Sequence, residues 1–486
     1  MKRTIRTVAI LLILVLGVSG TYTVGNIQGA STRAKTSKAT SAAKKKTKIR
    51  LNKTKVSVTA HQTIKLKLKN AKAKKVKWSS SNKKVATVSG KGKVSALKKG
   101  KTTITAKYKG KKYKCAIKVR KALSITAKSI NGSTLLQSEY FADKLYDGEN
   151  IIVSPASLNM VLGMAANGAG DDEKKDLEKY LGKSLDKYNK YALNMMNRAK
   201  NDSMLTLANG IWYKEGRGMN PLFHDAVSRY YNAQVKEAPL NYNTVQEINQ
   251  WASDNTDGMI KNVIDRISDE AVAILINALL FDGKWSIPFK ASDTRKAKFT
   301  TLNGNKVTTD MMHSSENFYY ENKYAIGFEK TYGEKGQYSF IAILPKVKGE
   351  FKLQNLDIKK FLKSKTDKYI VNVSMPKFTY DWNGSLTKIL KTTSVKSIFD
   401  DKINPLGNML QVHESVYASD VIQACRIIVD EEGTKAAAVT AMVEAAAFVT
   451  TVPEKNVNLN RPFGYIIMDN TTKDVLFMGK VVTPEE

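Results

Sequence analysis

Residues 271–285 read AVAILINALLFDGKW, and the apolar part of that run, up to Phe281, holds no charge and a single polar side chain, Asn277. With NDSMLTLANGIWY at 201–213, it reads as a strand buried on both faces. Such strands need cover above and below, which demands a large layered core. A chain of 486 residues can supply that core and a further domain. YSFIAILP (338–345) and YIVNVSMPKF (369–378) add strands. LLQSEYFADKLYDG (135–148) reads as a helix ending at Gly148, and NIIVSPASLNMVLGMAANGA (150–169) as strand, Ser-Pro turn and apolar helix. Helices followed by many strands make residues 125–486 one large α+β domain.

Charge divides the chain. No Asp or Glu precedes Glu139, whereas 36 of the 79 Lys and Arg do; the rest nearly balance the 44 acids. The N-terminus, MKRTIRTVAILLILVLGVSG, joins a basic start to an apolar run from Val8 to Val18. That run is short for a membrane span and fits a secretory signal, with cleavage expected at Val18-Ser19-Gly20 or, less well, at Ala30. Residues 1–30 are therefore assigned to the signal region, and the Ser/Thr/Ala/Lys-rich stretch 31–47 to a disordered linker. Cys115 and Cys425 fall in different parts of the chain, so no internal disulfide is expected. The four histidines are scattered, without metal-ligand spacing. Neither a cofactor, a metal site nor a catalytic set can be argued for.

In TIKLKLKN (63–70), Ile64, Leu66 and Leu68 alternate with Lys65, Lys67 and Lys69; KYKCAIKV (112–119) alternates likewise, with Tyr113, Cys115, Ile117 and Val119 inward. These are half-buried strands with lysine faces, separated by Gly and Asn turns, as in a small β-sandwich. Trp78-Ser79-Ser80, Val85-Ala86-Thr87-Val88, Gly92, Val94, Ala96, Gly100 and Ile104-Thr105-Ala106 carry a resemblance to a bacterial immunoglobulin-like repeat over 48–120. The resemblance implies a spacer or adhesive module. Its basic excess implies an anionic partner, such as a cell-envelope polymer; nucleic acid is disfavoured, with few aromatics to stack bases.

The large domain resembles a serpin throughout. Asn150-Ile151, Ser154-Pro155, Ser157-Leu158, Asn209-Gly210, Asn249-Gln250-Trp251, Phe281-Asp282-Gly283-Lys284-Trp285, Leu344-Pro345, Pro376-Lys377-Phe378, Glu431-Glu432-Gly433-Thr434 and Arg461-Pro462-Phe463 occur in family order. The resemblance implies an α+β fold with a large central sheet and an exposed reactive-centre loop. It also implies a buried shutter of Ser154, Ser157, Asn277 and residue 423, where Gln423 replaces the usual histidine. Gly464 stands where the family usually has a large apolar residue, so some loss of packing is expected there.

EEGTKAAAVTAMVEAAAFVTTVPE (431–454) then takes the place of the reactive loop. The resemblance makes Glu431, Gly433, Thr434, Ala436, Ala437, Ala438 and Thr440 its hinge. Thr434, Ala436, Ala438 and Thr440 share one face at period two, and small side chains can enter a packed sheet without overpacking. Counting from Glu431 puts the attacked bond at Ala447–Phe448; counting back from Pro462 gives Thr451. Ala446, Val449, Thr450 and Thr451 thus remain alternatives. Small residues suit an elastase-like serine protease; Phe448 would suit a chymotrypsin-like one, and a subtilisin-like target stays open. The resemblance thus implies a secreted suicide-substrate inhibitor rather than an enzyme, retained at the cell surface by its basic module. The other reading is a non-inhibitory surface-binding protein that uses the serpin domain as a scaffold.

Overall fold

The computed structural model of the chain describes residues 8–17, 49–60, 63–120, 125–127, 129–433 and 452–484. The chain forms two compact units: Ser19–Ala122, and Met1–Val18 together with Leu123–Glu486.

The smaller unit is all β. A four-stranded sheet runs Lys55–Thr59, Lys111–Arg120, Gly100–Tyr108, Lys77–Ser80, and a three-stranded one runs Thr63–Lys65, Lys93–Ala96, Ala86–Val88. Ile64, Val94, Ile104, Cys115, Ile117 and Val119 are buried between them, with alternate lysines exposed. The alternation in 63–70 is real, but the segment is not one strand. Thr63–Lys65 pairs with Lys93–Ala96, then Leu68–Lys69 pairs with Arg50–Leu51. The crossing is held by Asn52, whose Oδ1 accepts from Lys67 N (2.8 Å), and by Leu66 N donating to Gly92 O (2.9 Å). Gly92 has φ +78°, and a Cβ there would lie 2.4 Å from Leu66 O, so the close approach requires glycine.

The larger unit is built on a six-stranded sheet. Its strands are β1 (Val8–Gly17), β2 (Leu205–Lys214), β3 (Gln234–Ala238), β4 (Ala271–Phe281), β5 (Phe378–Ser385) and β6 (Tyr417–Val429), in spatial order β3-β2-β4-β1-β6-β5. All neighbours are antiparallel except β2 and β3. Every residue of β4 is buried, as its unbroken apolar run requires. Below lies α1 (Pro155–Ala166), whose Leu158, Val161 and Leu162 belong to the main core. Above lies α2 (Tyr242–Asn255), begun by an Asn241–Thr244 capping box, with Val245, Ile248 and Ala252 in a second apolar cluster with Ile274, Ile276 and Trp212.

β1 is the apolar run read above as the core of a secretory signal. In this structure it is a central strand, paired with β4 on one side and β6 on the other. Its Val, Ile and Leu content suits a buried strand as well as a signal. A second six-stranded sheet (Ile151–Val153, Val475–Val481, Phe463–Asp469, Tyr338–Pro345, Ala325–Tyr332, Phe318–Glu321) and a four-stranded one (Arg295–Thr300, Lys306–Glu316, Ile370–Pro376, Glu454–Asn458) complete the unit.

Two local expectations change. The helix expected over 135–148 spans Thr134–Lys144 with Leu145 as its C-cap, and Asp147 Oδ1, accepting from Glu149 N (3.1 Å), forms a separate turn around Gly148. At Gly464 no packing is lost, since Leu353 occupies the space: a Cβ at 464 would lie 2.8 Å from Leu353 Cδ2. Cys115 and Cys425 are free and buried in separate units. Burial pushes the Cys115 thiol up to about 11 and raises that of Cys425 as well, so both are poor nucleophiles.

Candidate functional site

The site has two parts, a shutter beneath the large sheet and a hinge at its end. The shutter begins at Ser154, the N-cap of α1, whose Oγ accepts from Ser157 N (3.3 Å), while Pro155 opens the first turn. Ser157 Oγ then donates to Asn277 Oδ1 on β4 (2.5 Å). Asn277 Nδ2 donates to Asn209 Oδ1 on β2 (3.0 Å), and Asn209 Nδ2 to Tyr231 O (2.7 Å). From β6, Gln423 Oε1 accepts from Ser154 N and its Nε2 donates to Ser154 O, both at 3.1 Å. These five side chains are at most 2% exposed, so each unmade bond would leave a buried polar group without water.

Ser154, Ser157, Asn277 and Gln423 are thus brought together around one helix start. Gln423 reaches the backbone of Ser154 and Asn277 the side chain of Ser157; Leu12 of β1 stands between the two strands. Asn209 completes the chain of bonds, a role not assigned to it from sequence. Its signal was visible as a polar residue inside the apolar run 201–213. None of these groups titrates in the ordinary range, so the shutter is indifferent to pH.

At the hinge, β6 delivers the chain to Asp430, whose carbonyl accepts from Trp285 Nε1 (2.9 Å). Glu431 O accepts from Phe289 N (2.8 Å) and Glu432 O from Trp285 N (3.3 Å). The Glu431 carboxylate pairs with Lys377 Nζ (2.9 Å) and accepts from Thr294 Oγ1 (2.8 Å). Burial opposes the Glu431 charge, but the Lys377 and Thr294 bonds outweigh it and hold its carboxyl below the usual range. Trp285 is itself fixed by stacking on Tyr332 at 4.1 Å between centroids. Gly433 has φ +72°, and a Cβ there would lie 2.5 Å from Trp285 N and 2.8 Å from Gly283 O. Glu431 and Gly433 are therefore anchored against the segment that follows β4. Lys377 and Trp285 appeared in sequence only as landmarks, and their partnership with the Glu431 segment, like that of Thr294, needed the fold.

Thr434, Ala436, Ala437, Ala438 and Thr440, and the candidate bond residues Ala446, Ala447, Phe448, Val449, Thr450 and Thr451, lie outside the described residues. The described chain resumes at Val452, and Glu454–Asn458 pairs in parallel with Ile370–Pro376. Among the described residues, no three His, Cys, Asp or Glu are grouped to hold a metal ion.

The family model for serpins (serine protease inhibitors) matches residues 136–484. The chain belongs to the serpin family. A second model, the bacterial Ig-like domain (group 2), matches residues 45–117. Human neuroserpin is 28% identical to this serpin over 365 residues, covering 70% of this chain and 87% of its own. Iripin-1 of Ixodes ricinus is 30% identical over 355 residues, covering 68% and 88%. Among solved structures, the thermophilic serpin Tengpin in its native state superposes with a TM-score of 0.64 at 31% identity, covering 74% of this chain and 94% of that one. Serpins are protease inhibitors and not themselves catalysts.

Proposed function

We propose that this serpin is a secreted suicide-substrate inhibitor of an elastase-like serine protease. The protease attacks the loop between 446 and 451, at Ala447–Phe448 in the first instance, and forms an acyl-enzyme with its own nucleophile. The cleaved loop then enters the large sheet as an added strand, and the displaced protease stalls before deacylation. The observation that carries this reading is the hinge. Gly433, just past β6, lies in the left-handed region with Glu431 tied down beside it, and the tract from Thr434 to Ala441 is small and uncharged apart from Lys435.

The basic module serves retention on an anionic envelope polymer. Every Lys of that unit whose exposure is described is exposed, and the unit contains no carboxylate. Lys107 lies directly opposite Lys77 on one neighbouring strand and Lys112 on the other. Like charges set opposite one another destabilise a sheet, and a polyanion laid across the row relieves that repulsion.

The scaffold reading is favoured by one observation, that β1 already fills the centre of the sheet. The test is to mix the protein, lacking residues 1–20, with pancreatic elastase and with chymotrypsin. A complex surviving denaturing electrophoresis, with a released C-terminal peptide starting within 447–452, is expected from elastase. Cleavage without a complex by either protease, and without a gain in heat stability, favours the scaffold.

A further inference from the structure

The space between β4 and β6 is a strand-binding site, and the chain's own N-terminal segment occupies it. β1 pairs with both walls along its length: Val8 faces Phe281 and Ile427, Leu12 faces Asn277 and Gln423, Leu16 faces Ala273 and Ala418. Ser419 Oγ donates to Val15 O at 3.0 Å. Leu12, Leu14 and Leu16 are fully buried in the core beneath, and Ile13 is fully buried in the cluster that includes Val245 and Ile248 of α2. Both faces and both edges of the strand are satisfied.

We propose that β1 is an internal blocker: a chain that keeps residues 1–20 cannot take up its own reactive loop, and removal of that segment arms the inhibitor. The proposal rests on the loop-insertion reading above. An added strand from the hinge needs the β4 and β6 edges, and one slot cannot hold two strands. β1 also holds the slot with larger side chains than the loop offers. Leu12, Leu14 and Leu16 point into the core, whereas the period-two set Thr434, Ala436, Ala438 and Thr440 is small, so exchange would give up apolar burial.

The boundary fits this role. The strand ends at Gly17, just before Val18-Ser19-Gly20, and residues 1–18 are the part of the N-terminal region that belongs to the larger unit. Cleavage at that site would remove the whole strand and no other element of the sheet. Strands lie about 4.8 Å apart, so its departure leaves β4 and β6 about 10 Å apart with unpaired backbone edges. The walls must then close on each other or accept another strand, which is the strained, receptive state that loop insertion needs.

The test compares the full chain, the chain lacking residues 1–20, and the full chain carrying Leu12→Asp and Leu14→Asp, which put charges where the strand is buried. Amide hydrogen exchange along β4 and β6 reads occupancy without any protease. Protection is expected in the full chain and reduced in the other two. The full chain is expected to yield at least about tenfold less covalent complex with elastase than the shortened chain. It should also gain no heat stability when its loop is cut. The aspartate variant should behave as the shortened chain does. If it misfolds, the two remaining proteins still decide. Equal exchange in the full and shortened chains, or equal complex yield from both, overturns the blocker. Differing exchange with no complex and no stability gain from the shortened chain instead overturns the inhibitory reading, and arming falls with it.

Discussion

Asn277 and Gln423 stand level with each other on either side of Leu12, and both are tied to the start of α1, one through the Ser157 hydroxyl and the other through the Ser154 backbone. The helix start thus holds both walls of the slot from below, whichever strand lies between them. Opening or closing the sheet has to keep these bonds or break them together.

Asn277→Ala removes the acceptor of Ser157 Oγ and the donor to Asn209 Oδ1, leaving buried groups without partners. A loss of about 1–3 kcal/mol per orphaned group is expected. Gln423→Ala should cost a similar amount, because it orphans the buried N–H of Ser154, whose C=O keeps only its bond from Leu158 N (3.3 Å). Urea unfolding of the two single variants and the double variant measures both and their coupling. Additive losses would mean that the two halves of the shutter act independently.

Much of this was legible in sequence because the residues carrying it are unusual where they stand. A lone Asn in AVAILINALLF must be satisfied internally, and Ser154-Pro155 announces a capped helix. The partners that come from remote segments were not legible. Lys377 and Thr294 meet Glu431 only after three stretches of chain converge, and no local pattern encodes that pairing. VAILLILVLG was ambiguous for a deeper reason. A secretory core and a strand buried on both faces both select continuous aliphatic residues, so composition alone cannot separate them.

Glu431→Gln keeps the shape of the hinge anchor and removes its charge. The Glu431 carboxyl is held below its ordinary value, so its contribution is present above the unfolded-state pKa, about 4.3, and is lost as pH falls through the lowered folded value. The native chain should therefore unfold at a higher temperature than the variant at pH 7. The difference should close as the solution is acidified below about pH 4. Thermal midpoints followed by circular dichroism from pH 7 to pH 3 check this; a gap that widens in acid would reverse the assignment.

Gly433→Ala tests whether the hinge geometry is obligatory. At φ +72° an L side chain is strained, and the added Cβ would press on the Trp285 N and Gly283 O backbone atoms rather than on a movable side chain. A cost of about 1–3 kcal/mol is expected. The matching control is Gly110→Ala, where φ is also positive but nothing lies within 4 Å of the Cβ. Differential scanning calorimetry of each variant should show the larger drop at 433.

Thr434→Arg addresses the loop through its chemistry. On the insertion reading, Thr434 is the first residue to enter the sheet, where an unpaired guanidinium would be buried at large cost. The variant should be cut by elastase at the native rate, yet turn over as a substrate and form little stable complex. Counting complexed against cleaved protein on a denaturing gel gives the partition. An unchanged partition would argue that trapping does not use insertion.

The lysine row of the basic unit makes opposite predictions for stability and binding. Lys107 has Lys77 and Lys112 as direct cross-strand neighbours, all exposed and with no carboxylate in the unit to offset them. Lys107→Gln should stabilise the protein's basic unit by about 0.2–1 kcal/mol through relief of like-charge contact. The same change should weaken adsorption to an anionic wall polymer such as a teichoic-acid-type polyphosphate, and salt should weaken it further for the native chain than for the variant. Urea unfolding at low salt and co-sedimentation with the polymer across a salt series read the two effects. A residue retained merely for solubility would show the first without the second, whereas a residue placed to meet a polyanion shows both, with the stability difference vanishing once the polymer is bound.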